Sequence, residues 1–385
     1  MPHDIAIVGA GPVGGALALA LAEADLDVIA LDSRCEGEAA RADRSLALSH
    51  GARLIFERLL VWRRLAAIPD AMTPITAIDI SQVGGFGCMR LTANEQDLPS
   101  LGYVVSYRAL QQAIDAALKD TRTTIRYVTT AVGIDATPAY ATINVDRDEV
   151  GPIPARLAVV ADGAGLTVKG ISRTRREYAQ VALIAKVWTE RPHCGIAFER
   201  FASDGPMALL PERDHYGLVW TLPPTKADAM LALPETAFLA ALAEHFGPRV
   251  TGFVRIADRR KFPLALEFAR PLISEHTVVI GNAAQSLHPI AGQGFNLGMR
   301  DAYELARTII ATPRERIGER AMLETYAAQR RSDRYAGIAF THGLTHLFGV
   351  KRPLVRWPRG LALALFDTLP PAKRAFTHAM MFGIR

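Results

Sequence analysis

Gly9, Gly11 and Gly14 form a Gly-x-Gly-x-x-Gly run directly after the apolar segment Ile5 to Val8 and ahead of an Ala/Leu-rich stretch. In that setting the first glycine permits a tight turn, the second lets the backbone approach a pyrophosphate, and the third lets helix and strand pack closely. The N-terminal amides of the helix attract the anion. Asp32 closes the next apolar segment 23 residues after Gly9, where a carboxylate accepts hydrogen bonds from adenosine ribose hydroxyls. The pattern points to a dinucleotide and does not separate NAD from FAD. His342 and His346 also carry usable spacing, i and i+4, that of a zinc pair. No glutamate follows the first histidine and no third ligand is evident, so the pair reads as helix packing or surface, and no metal is expected.

The elements that would position these residues follow from the apolar periodicity. A strand over Ile5 to Val8, a helix from about Pro12 to Ala24 and a strand over Val28 to Asp32 make a βαβ unit with buried strands. Residues 44 to 67 have helical spacing, 75 to 91 turn to short β segments broken by Gly84, Gly85 and Gly87, and a helix is expected from Tyr107 to Lys119. Strands are expected near 124–128, 131–135, 141–146 and 156–161. From Gln180 to about Leu264 the texture is β with one helix near 235–246. The buried-strand pattern returns at 277–280, before a glycine-rich turn and a helix from Leu297 to about Ala311. The fold class is therefore α/β: a Rossmann-like nucleotide-binding domain from residues 1–70, 101–175 and 271–345, with a β-rich substrate domain (71–100 and 176–270) inserted in it. A helical, basic segment, 346–385, follows, with proline breaks at 353, 358, 370 and 371.

Residues 281 to 301 read Gly-Asn-Ala-Ala-Gln-Ser-Leu-His-Pro-Ile-Ala-Gly-Gln-Gly-Phe-Asn-Leu-Gly-Met-Arg-Asp. This stretch strongly resembles the aromatic-ring flavoprotein monooxygenases, specifically the branch that hydroxylates ubiquinone precursors. Asp43 to Ser49, Ser106 to Gln112 with Arg108, Val160-Ala-Asp162-Gly163, Tyr178-Ala-Gln180 and Phe198 to Pro211 resemble further segments of the family in the same order. Gly165, Leu166 and Lys169 depart from the usual residues after the Asp-Gly motif, and Gln285 stands where a histidine is usual.

The resemblance implies bound FAD, held by Gly9, Gly11, Gly14, Asp32, Arg44, Arg108, Asp162, Gly281, Asn282, Pro289, Gly292, Gly294, Phe295 and Asn296. Arg44 and Arg108 would contact the pyrophosphate. Asp162 reads equally as a turn or capping residue. Pro289 would pack beside the ring, and amides at the helix start near Gly292 and Gly294 would stabilise negative charge on the reduced flavin. No catalytic side chain is assigned, because the cofactor carries the chemistry. NAD(P)H would reduce the flavin, O2 would add to give a C4a-hydroperoxide, and its distal oxygen would pass to a polyprenylated phenol. With no second Gly-x-Gly-x-x-Gly, nicotinamide would bind transiently. The resemblance also leaves room for a place in a ubiquinone-biosynthesis complex. Two alternatives stand beside this reading: a flavin monooxygenase of another aromatic or secondary metabolite, and a noncatalytic flavoprotein scaffold in a biosynthetic assembly.

Composition bounds the rest. The 385 residues are 50% hydrophobic, 22% charged and 7% aromatic, which excludes collagenous, disordered and coiled-coil classes. Three scattered cysteines imply neither a disulfide framework nor a zinc pair, so a reducing cytoplasm is expected. No apolar run reaches the roughly 18–20 residues that would span a bilayer. The net charge of +5 is uneven: residues 351 to 385 hold seven lysines and arginines against Asp367 alone, leaving the remainder at −1. That excludes a basic nucleic-acid face and gives the tail two readings, a peripheral seat at the inner face of an anionic membrane or a packed helix with a solvated basic rim.

Overall fold

The computed structural model describes residues 1–38, 44–147, 149, 151–163, 165–250, 252–287, 292–349 and 353–384, the side chains of 345–349, 353–356 and 359 excepted. Five parallel strands form the nucleotide-binding sheet in the order Thr277–Val279, Ile153–Val160, His3–Val8, Val28–Leu31 and Thr124–Arg126. The hairpin Ala131–Ala136 and Ala141–Val145 continues from Ile153–Val160 in antiparallel fashion. The helix Pro12–Leu21 is buried on almost every side between the helices Tyr107–Leu118 and Gln293–Ile310. This is why its sequence is apolar throughout instead of amphipathic.

A second sheet of eight strands is built on two 18-residue strands, Ser172–Thr189 and Phe253–Arg270, paired antiparallel. Its far half runs Ser172–Thr189, His215–Leu222, Gly205–Glu212, Ile196–Ala202, Ala77–Gln82 and Cys88–Thr92. The helices Pro224–Ala232 and Glu235–Phe246 accompany this sheet, and Phe238, Leu242 and Phe246 of the second are fully buried in its core. A small third sheet, Ser45–Ser49, Gly102–Ser106 and Met72–Ile75, stands between the two larger ones.

Three long helices end the chain: Arg320–Gly349, Pro353–Thr368 and Pro370–Phe382. Pro358 lies inside the second of them and does not break it. It is the sixth residue, beyond the four amides that lack an intrahelical partner, so the bond to the Leu354 carbonyl is forgone while the helix continues. Leu363, Phe366 and Phe376 pack with Met89, Leu91 and Met381, so the segment closes onto the β-rich sheet. Gly87 and Gly360 meet backbone to backbone there: a Cβ on Gly87 would lie 2.1 Å from the Gly360 carbonyl oxygen. Among the described residues no helix is long and apolar enough to cross a membrane.

Candidate active site

The turn after the first strand has the geometry its glycines were expected to serve. Gly9 has φ +99°, and a Cβ there would stand 2.7 Å from Cα of Asp162, so this turn and the Asp162 turn touch backbone to backbone. A Cβ on Gly14 would fall 1.9 Å from the Gly9 carbonyl oxygen. Gly11 is different: in extended backbone, φ −63° and ψ −177°, its missing Cβ would meet only the Tyr107 hydroxyl at 3.8 Å. The protein itself leaves that face of Gly11 open.

Helix starts divide by role. Ser49 and Ser106 cap the helices His50–Arg58 and Tyr107–Leu118, their hydroxyls accepting from the amides of Ala52 and Ala109. The helices Pro12–Leu21 and Gln293–Ile310 start instead at Gly11 and Gly292, with no side-chain cap. Helix starts without a side-chain cap, beside bare glycine backbone, suit a pyrophosphate at the first helix and a flat, electron-rich ring at the second. The residues present therefore fit FAD.

Each candidate side chain has a definite place. Asp32 is 6% exposed, and its carboxylate accepts the Arg34 amide at 2.9 Å and the Arg34 guanidinium at 2.8 Å. Arg34 also reaches Asp115. Burial lowers its pKa, but the hydrogen bond and charge of Asp32, then Asp115, more than reverse that, so it is raised overall. The Arg44 guanidinium lies over the Tyr107 ring, 4.7 Å from its centre. Since the Tyr107 hydroxyl is what Gly11 faces, Arg44 and the glycine turn share one edge of the site. Arg108 is exposed in the first turn of its helix and does not line the cavity described below. Asp162 accepts from the amides of Gly165 and Leu166 at 3.0 and 2.9 Å, a turn-capping position. Pro289 lies outside the described residues.

Asn296 is 2% exposed and fully engaged. Its Nδ2 donates to the carbonyls of Ala47 at 3.0 Å and Gly292 at 2.8 Å, and its Oδ1 accepts from the Ser49 amide at 2.8 Å. It thus staples the glycine-rich turn to the strand Ser45–Ser49. Phe295 stacks on Phe56. Gly281 packs against Val13 and Gly298, and Asn282 offers its carbonyl to Arg173 at 3.1 Å.

Sequence reasoning missed several residues. Arg173 lies over Gly165, filling space that any larger side chain at 165 would need, so a cation stands beside the Asp162-Gly163 turn although residues 165, 166 and 169 depart from the family pattern. Beneath the turn 281–286 lies a buried charged network. Asp301 accepts from Gln285 at 2.6 Å and from Arg330 at 2.8 Å. Asp333 accepts from Arg330 at 2.8 Å and Arg300 at 2.7 Å, and Arg334 donates to Gln285 at 2.8 Å. Burial opposes the charge on Asp333, but Arg300 and Arg330 outweigh it and hold its pKa below the ordinary carboxylate value. Gln285, for which no role was expected, is the neutral centre of this network. Arg330, Asp333 and Arg334 belong to no motif in the sequence, and only tertiary placement shows them buried.

One cavity of about 860 Å3 joins the parts. Its floor is Arg44 to Ser49 with Asn282 and Gly292 to Asn296. One wall is the apolar face of the second sheet, and the other is made by the C-terminal helices through Pro358, Leu363, Phe366 and Met380.

Residues 3–338 match the FAD binding domain family. The chain is 33% identical to a ubiquinone hydroxylase, UbiL, of Rhodospirillum rubrum, over 98% of this chain and 89% of that protein. It is 29% identical to the 3-demethoxyubiquinol 3-hydroxylase of Escherichia coli, over 97% of each. Among solved structures, p-nitrophenol 4-monooxygenase PnpA of Pseudomonas putida superposes with a TM-score of 0.79 over 100% of this chain and 99% of that one, at 17% identity.

Proposed function

As this chain belongs to the FAD binding domain family, among its ubiquinone-hydroxylase relatives, we propose that it hydroxylates the aromatic ring of a polyprenylated phenol on the way to ubiquinone. Ring C–H, O2, NAD(P)H and a proton become ring C–OH, water and NAD(P)+. The observation that supports this reading most is the continuity of this cavity, which has glycine-rich backbone at one end and an apolar length beyond it. Relatives that act on quinone precursors support the substrate class.

Bound FAD would supply the reductive activation of oxygen. The chain's own residues do the rest. Gly11 and the helix start behind it receive the pyrophosphate, with Arg44 on the same edge. Asp32, already oriented by Arg34, faces the ribose. Asn296 holds Gly292 and the Asp301–Arg330 network holds Gly281 and Gln285, so that the helix-start amides beside Gly292 need no reorganisation as charge develops. The sheet face and C-terminal helices exclude water and accept the prenyl chain.

The tail deepens the substrate argument. On the helix Pro353–Thr368, Leu363 and Phe366 face the cavity. Trp357, Leu361 and Leu365, at i, i+4 and i+8, are 70%, 50% and 51% exposed, and Phe86 packs beside Trp357. One helix thus carries a cavity face and an exposed apolar face, within a segment of excess positive charge. Peripheral contact with an anionic bilayer would place the cavity wall against the phase that holds a prenylated substrate. Quinone profiling of a strain lacking the gene tests the reading: an accumulated, under-hydroxylated prenyl phenol is expected, and an unchanged quinone pool would reject it.

A further inference from the structure

Glu199 is the residue the assigned chemistry leaves unexplained. It lies mid-strand in Ile196–Ala202, paired with Ala208 on one side and Ile80 on the other. Residues on the same face are Ala197 and Phe201 along its strand and Ile78, Met89, Leu91 and Val219 on neighbouring strands, and all of them line the cavity. An ionisable side chain is thus set into an otherwise apolar surface. The residue is partly exposed, and it too lines the cavity. No described residue makes a hydrogen bond or ion pair with its carboxylate.

Neighbouring charges do not account for it. Arg200, next in sequence, points to the opposite face, where it donates to the His245 carbonyl at 2.6 Å and to Ser81 at 3.2 Å. Arg249 and Asp79 pair with each other. The C-terminal helices present Pro358, Leu363, Phe366 and Thr377, none of which titrates. Among the described lining residues, Arg44 at the flavin end is the other ionisable group. A lone carboxyl kept on an apolar wall is costly unless a ligand uses it.

We propose that Glu199 is the base that takes the phenol proton of the substrate. This rests on the hydroxylase reading above. The phenol O–H bond breaks, its proton moves to a Glu199 carboxylate oxygen, and the electron pair stays on the phenol oxygen. That makes the ring carbons ortho and para to it richer in electrons for attack on an electrophilic oxygen. When the hydroxylated ring releases its C–H proton to water and regains aromaticity, the product oxygen recovers the phenol proton from Glu199. Burial pushes the carboxyl up to about 8, closer than an ordinary glutamate to a phenol near 10 and so better matched as its base.

The test uses the FAD-loaded enzyme with a short-chain prenyl phenol. Wild type should show kcat/KM rising with pH to a plateau, with a midpoint near 8. Glu199→Gln should lose that limb, with kcat down ~100- to 10,000-fold, KM little changed and flavin content intact. Glu199→Asp should restore part of the limb. A Glu199→Gln enzyme that keeps wild-type kcat and pH profile would overturn the assignment and leave the hydroxylase reading standing. A wild type that neither binds nor oxidises any prenyl phenol would overturn both.

Discussion

Alanine at Gly11 and alanine at Gly14 should fail in different ways, because the protein crowds one position and leaves the other open. At Gly14 the new Cβ would lie 1.9 Å from the Gly9 carbonyl oxygen. Backbone must move, so the cost stands at or above the upper end of overpacking, about 3 kcal/mol. At Gly11 the backbone angles suit alanine, and the methyl meets only the Tyr107 hydroxyl at 3.8 Å. Lower unfolded-state entropy and a slightly poorer helix cap roughly offset, leaving apoprotein stability within about 1 kcal/mol of wild type. The same methyl occupies space the pyrophosphate needs, at about 1–3 kcal/mol, or ~5- to 150-fold in Kd. The assay is FAD titration of apoprotein by flavin fluorescence, alongside urea unfolding without flavin. Gly11→Ala binding FAD as tightly as wild type would refute the placement of the pyrophosphate on this turn.

Further outcomes follow from the buried charges and the tail. Asp301→Ala strips Arg330 and Gln285 of a buried partner and should destabilise by about 3–5 kcal/mol; a shift below about 1 kcal/mol in urea unfolding would show the network to be dispensable. Glu199→Gln removes a carboxyl whose folded pKa is raised, so wild type should lose stability relative to the variant as pH climbs from about 5 to 8, and parallel melting curves at both ends would contradict this. Lys373 pairs with Glu95 and Asp367 at 2.8 and 3.0 Å. Burial opposes all three charges, yet pairing raises the lysine and lowers both carboxylates. The carboxylates' contribution is lost as pH falls through their lowered folded values, and the lysine's as pH rises through its raised one. Hydrogen exchange, corrected for intrinsic rate, should show residues 370–382 less protected near pH 3 than at pH 7. Trp357→Ser with Leu361→Ser and Leu365→Ser should keep flavin and fold but lower flotation with anionic liposomes, and unchanged flotation would remove that face from the membrane argument.

Local chemistry and buried-strand texture made the nucleotide-binding half legible. Gly9, Gly14 and the Ile5 to Val8 strand announce themselves because backbone contact demands glycine and a doubly covered sheet demands continuous apolar residues. The strand Ser45–Ser49 was hidden in a stretch of helical spacing, since its pairing with Gly102–Ser106 is a tertiary fact. The helix Pro224–Ala232 escaped notice because only Ala227 in it is buried, so it has almost no apolar stripe to read. At the site, Asn296 was singled out, yet the two of its three backbone bonds that reach across some 250 positions were not readable. Glu199 stood in plain sight inside a matched segment, but its isolation depends on strands from residues 77–92 and 205–222 being brought alongside. Of the basic tail's two readings the structure shows packing: one face lies on the β-rich sheet and lines the cavity, while another is exposed and apolar, and the membrane seat is a proposal for flotation to test.

The most direct test of the central claim is mass analysis of product formed by the FAD-loaded protein from a prenyl phenol, NAD(P)H and heavy-isotope-labelled dioxygen. One labelled oxygen atom on the ring per nicotinamide oxidised is predicted. A protein that holds no flavin, or that consumes nicotinamide without labelling the ring of any prenyl phenol offered, would contradict it.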